Sequence, residues 1–105
     1  MLLSAKKLDD INSIIARHER VVLCFLGPWC PQCAYMEKVI NILADKYKDI
    51  VFVKVLVGRD DGIVKEYQVY EIPLTVTIVR RKVKRYIAGA YGLEKFEKWL
   101  LDSLG

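Results

Sequence analysis

No apolar run in this chain approaches the roughly 20 residues a membrane-spanning helix requires, and its 29% charged residues are spread along the whole length. A soluble protein with no membrane partner is expected. Cysteine is scarce and odd in number, with three in 105 residues. A domain of this size buries roughly two-thirds of its unfolded surface and needs no disulfide framework to hold its core. The opening stretch Met1-Leu2-Leu3-Ser4-Ala5-Lys6-Lys7 has neither the basic n-region nor the apolar h-region of a signal peptide. These features predict a cytoplasmic, monomeric protein with one domain over residues 1–105.

Histidine occurs once, at His18, and a zinc or iron–sulfur site needs about four ligands. No metal is expected. Asn and Gln are also few, two of each beside many Lys, Arg and Glu, which is the compositional direction of thermophile proteins. Repeats, linkers and low-complexity segments are absent. The net charge is only +4, and much of it comes from Arg80-Arg81-Lys82-Val83-Lys84-Arg85. That cluster lies between two β-like segments without interleaved aromatics, so it reads as a solvated hairpin tip and not as a nucleic-acid patch.

Leu8, Ile11, Ile14 and Ile15 recur at helical spacing after a potential cap at Ser4, predicting an amphipathic helix over residues 5–18 that ends at His18. Val21 to Leu26 is apolar at every position, as in a central strand covered on both faces. Gly27-Pro28 ends it. A second helix carries Met36, Val39, Ile40, Leu43 and Tyr47 on its core face, with Glu37 and Lys38 assigned largely elsewhere. Ile50 to Val57 is the next strand, and Asp60-Asp61-Gly62 opens a short helix through about Tyr67. Thr75–Val79 and Val83–Ile87 form a hairpin, and Leu93–Leu104 a last helix with Phe96, Trp99 and Leu100 inward. The fold class is α/β, with a mixed sheet.

The chemistry lies in Trp29-Cys30-Pro31-Gln32-Cys33, at the junction of the first long strand with the second helix. Beside a βαβ pattern this spacing favours a redox dithiol over a metal site. With Cys30 as helix cap and Pro31 as first helical residue, Cys33 lies one turn in and its sulfur can bond that of Cys30. Cys30 then gains from the helix dipole and free amides, which favour a thiolate. It is the expected nucleophile, and Cys33 the expected resolving thiol. Pro31 suits the first turn, where its missing N–H costs nothing. Gln32 is neutral and adds no positive charge beside the thiolate, so a reducing or intermediate protein is expected. A redox-inactive binding module is the bland alternative, although such a module would not need both thiols.

From Val21 to Leu104 the order of elements, Trp29 with the dithiol, Lys54, Tyr67, Ile72-Pro73, Gly89, Phe96 and Trp99 together resemble the thioredoxin family. The first twenty residues match loosely, with Met1 to Leu3 leaving at most a stub of an N-terminal strand. The resemblance implies the thioredoxin fold, a mixed sheet of four to five strands with helices on both faces. It also implies a cis bond before Pro73, which X–Pro statistics alone would make trans. Trp29, Ile72 and Pro73 match the family's substrate-binding positions, while Trp99 suits a core tryptophan. Lys54 matches a lysine near the site and is a candidate for proton transfer. Expected partners are disulfide-containing proteins and a thioredoxin-type reductase, with no bound cofactor. Three features depart from the family. Pro31-Gln32 replaces Gly-Pro and is nearer the glutaredoxin habit, so a glutathione-dependent, glutaredoxin-like enzyme is the alternative. Cys24 stands where the family has a buried Asp, six positions before Cys30, and Lys38 where it has a mid-helix Pro. A free buried Cys behaves as a small hydrophobe, so Cys24 is expected to be an inert core thiol.

Overall fold

The computed structural model describes residues 1–58 and 61–105. Nine elements follow one another: β1 (Leu2–Ala5), α1 (Leu8–Arg17), β2 (Arg20–Leu26), α2 (Pro31–Lys46), β3 (Val51–Leu56), α3 (Asp61–Tyr67), β4 (Leu74–Val79), β5 (Lys82–Ala88) and α4 (Leu93–Leu104). The five strands form one mixed sheet in the order β1-β3-β2-β4-β5. β2 is its centre, pairing parallel with β3 and antiparallel with β4. This explains the uniformly apolar run: Val21 to Leu26 are all buried, alternate residues facing opposite layers. Val21, Leu23 and Phe25 pack towards α1 and α3, and Val22, Cys24 and Leu26 towards α2 and α4.

The N-terminus departs from the expected stub and early helix. Residues 2–5 form a full edge strand, pairing from Leu2 with Phe52 to Ala5 with Val55. Ser4 is therefore a strand residue and not a cap, and α1 starts at Leu8. Its first turn is held by the Asp10 carboxylate, which accepts from Lys6 N at 3.3 Å and Lys7 N at 3.1 Å. The open edge of β3 offers residues 2–5 a continuous ladder, which outweighs one local cap. The start assigned to α3 at Asp60 lies outside the described residues.

Arg80 and Arg81 of the basic segment form a two-residue hairpin turn, and Lys82 to Arg85 lie in β5. Arg80 and Arg81 have φ of 50° and 70°, the left-handed pair that matches strand twist in a tight hairpin. They are also tied to the end of α1: Arg80 Nε meets Glu19 Oε1 at 3.1 Å, and Arg81 Nη2 donates to Ala16 O at 3.2 Å. Across the molecule, Lys46 bonds Glu97 at 2.7 Å, and the Tyr47 hydroxyl donates to the same carboxylate, joining α2 to α4. No helix among the described residues is long and apolar enough to cross a membrane.

Candidate active site

The chain leaves the sheet at the C-terminal end of the central strand β2, and Gly27-Pro28-Trp29 turns it into α2. Trp29 sits at φ 57°, a conformation rare for bulky residues, and its side chain is fully exposed. Trp99, by contrast, packs its ring 5.5 Å from Phe96. Cys30 caps α2 with extended backbone angles, its sulfur accepting from Cys33 N at 3.1 Å, and Pro31 follows at the first helical position. Cys30 and Cys33 are joined as a disulfide, with Cα atoms 5.2 Å apart, inside the range such bonds require. The two sulfurs are not equivalent. Cys33 is 3% exposed, while Cys30 is half-buried at the end of a helix whose first turn has no acidic residue to oppose the dipole.

An open groove of about 840 Å³ runs beside the dithiol. Trp29, Cys30, Pro31, Cys33 and Lys54 all line it, together with Leu26, Leu56 and Glu37. Gln32 is exposed on α2 and does not line the groove. Ile72 and Pro73 do not line the groove. The Ile72-Pro73 bond is cis, and Ile72, like Cys30, packs against the buried cluster that includes Cys33. A Cβ at Gly27 would lie 2.5 Å from Ile72 Cδ1, so the glycine makes room for that side chain. Buried Pro73 gives its carbonyl to Gly89 N at 2.8 Å, and Gly89 holds a φ of 98° that favours glycine.

Beneath α2, the sheet register places Ser4, Lys54, Cys24 and Thr75 in one row across four strands. Burial pushes the Cys24 thiol up to about 12, an effect the adjoining Thr75 hydroxyl partly offsets. Cys24 is fully buried and stays protonated at neutral pH. Thr75 Oγ1 is buried without a hydrogen bond of good geometry to any described group, so its contact with Cys24 is a loose one. Lys54 Nζ reaches out of the row to Glu37 Oε2 at 2.7 Å. The sequence set Glu37 largely off the core face of its helix, where it lies, and gave no partner for it. The signal was present: Glu37 follows Cys33 by four residues, so the two share a face. Among the described residues, no three His, Cys, Asp or Glu are grouped to hold a metal ion.

A half-exposed sulfur at a helix N-terminus, bonded to a buried one a turn later, can be reduced, attack and re-form. The chain as a whole is similar to known proteins. The chain is 34% identical to thioredoxin H2 of Arabidopsis thaliana over 87 residues, which are 83% of this chain and 65% of that relative's length. It superposes on the reduced thioredoxin pre-protein of Schistosoma mansoni with a TM-score of 0.86 at 25% identity, covering 98% of each chain. Oxidised mitochondrial thioredoxin 3 of Saccharomyces cerevisiae gives 0.87 at 27% identity, over 96% of this chain and 94% of that one. The family model for thioredoxin matches residues 4–102, which take in the end of the edge strand, the dithiol, the cis-proline loop and nearly all of α4; the chain belongs to the thioredoxin family.

Proposed function

We propose that this protein is a thiol–disulfide oxidoreductase that reduces disulfides in other proteins. The observation that carries the reading is the asymmetry of the pair: Cys30 half-exposed at the α2 N-terminus, Cys33 buried one turn on. In the reduced form the Cys30 thiolate attacks a substrate disulfide, breaking its S–S bond and forming a mixed disulfide. Cys33 then displaces the substrate's remaining sulfur. Two electrons pass to the substrate, and the Cys30–Cys33 bond is restored.

Trp29, Ile72 and Pro73 form the substrate-docking surface, Pro31 and Gln32 tune the dithiol, and Lys54 assists proton transfer at it. Electrons come from a thioredoxin-type reductase. The glutathione-dependent, glutaredoxin-like reading is not favoured, because the family match and both solved structures are thioredoxins. We assign the protein to the cytoplasm as a monomer of one domain, residues 1–105, since a free buried thiol and a cycling dithiol suit a reducing compartment.

Insulin reduction tests the activity, and Cys30→Ser should abolish it. The reduction potential tests the direction. With neutral Gln32 beside the thiolate it should fall between about −270 and −200 mV, the values typical of thioredoxins and glutaredoxins. A potential above about −150 mV would identify an oxidant instead.

A further inference from the structure

Cys33 is 3% exposed, and to resolve a mixed disulfide it must lose a proton at that moment. The structure limits where the proton can go. Cys24 lies in the same packed cluster, but burial keeps its thiol protonated, so it cannot accept. Among the described residues, the other ionisable side chains on the groove that Cys33 lines are Lys6 from the β1–α1 connection, Lys54 from β3 and Glu37 from α2. An ammonium has protons to donate and no lone pair to accept one, and Lys54 Nζ is paired with Glu37 Oε2 at 2.7 Å. Glu37 is left. It lies one helical turn from Cys33, about 6 Å away between Cβ atoms, and its carboxylate opens on the same groove.

We propose that the Glu37 carboxylate takes the Cys33 proton during resolution, and that Lys54 is the positioning residue that turns this carboxylate towards the dithiol. The assignment rests on the proposed roles of Cys30 and Cys33. The step balances: the Cys33 S–H bond breaks and its proton passes to Glu37, directly or through solvent in the groove. The Cys33 sulfur bonds to Cys30, the bond from Cys30 to the substrate breaks, and the substrate leaves as a thiolate with the electron pair. No outside oxidant is consumed.

The competing role for Glu37 is purely electrostatic, and it predicts the opposite sign. Removing the carboxylate would leave the Lys54 charge uncompensated beside the dithiol, favour the Cys33 thiolate and speed resolution. The experiment mixes reduced protein with a fluorescent peptide disulfide in single turnover, following adduct formation and peptide release separately by rapid quench and mass spectrometry. Glu37→Gln should slow release about tenfold near neutral pH, less than the hundredfold or more usual for a proton acceptor because solvent in the groove can substitute. Adduct formation on Cys30 should be unchanged, and the deficit should close as rising pH ionises Cys33 without help. Glu37→Asp should recover part of the rate, and Lys54→Met should also slow release. Release that is unchanged or faster in Glu37→Gln overturns the proposal. The underlying reading fails differently: if Cys33 is not the resolving thiol, Cys33→Ser will not accumulate the Cys30 adduct, and the Glu37 assignment falls with it.

Discussion

The two faces of the sheet are built from different materials. Against α1 and α3, the strand side chains are hydrocarbon throughout: Val21, Leu23 and Phe25 from β2, Val51, Val53 and Val55 from β3, Leu74, Val76 and Ile78 from β4. Against α2 and α4, Val22, Phe52 and Leu26 share the face with Cys24, Lys54, Thr75 and Thr77. One face does nothing but hold the molecule together. The other gives up apolar contact along one row, and that row runs under the dithiol. Polar groups in a low-dielectric layer are costly unless partnered, and Lys54 is partnered by Glu37. The division explains how one small domain can be stable and still keep ionisable groups beside a reactive pair.

The hydrocarbon face should carry the larger stability effects. Phe25 is fully buried and its ring lies 5.3 Å from that of Tyr67. Phe25→Ala should cost about 3–5 kcal/mol in urea unfolding. The folded fraction should still reduce insulin, since no site residue is touched. A loss no greater than that of Cys24→Ala would erase the distinction between the faces.

The polar row should show itself through pH. Burial raises the Cys24 thiol from 9.0 to about 12. Above pH 9 the unfolded chain therefore releases a proton that the folded chain keeps. Stability from this group is complete below pH 9 and declines by about 1.4 kcal/mol per pH unit as pH rises towards the folded value. Tyr67, raised from 10.0 to about 12 chiefly by burial, adds its own loss from about pH 10 upward. Cys24→Ala in the oxidised protein should cost only about 1 kcal/mol at pH 7 and should flatten the slope between pH 9 and 10. Equal slopes in urea titrations of the two proteins would show that Cys24 is not held as a protonated core thiol.

The sequence revealed most where local pattern and final environment agree. Val21 to Leu26 could only be a doubly covered strand, and Cys30-Pro31 carries both the cap and the first-turn residue of α2. Ser4 was misread because its local chemistry suits a cap, while its fate was set by the edge of β3, nearly fifty residues away. The partner of Glu37 was hidden for a related reason. Helical spacing puts Glu37 on the Cys33 side of α2, but it is the β3 register that sets Lys54 beside Cys24 and within its reach. The Arg80-Arg81 turn was legible as a turn. Its ties to Ala16 and Glu19 depend on where α1 ends and could not be read locally.

The most direct test compares all three cysteines in one reaction. Reduced, folded protein is treated briefly with iodoacetamide near pH 7, and the labelled sites are mapped by mass spectrometry. The half-exposed sulfur at the α2 N-terminus should take the label alone, leaving Cys33 and Cys24 unmodified. Labelling of Cys33 ahead of Cys30, or of Cys24 in the folded state, would contradict the division between one reactive, one resolving and one inert thiol.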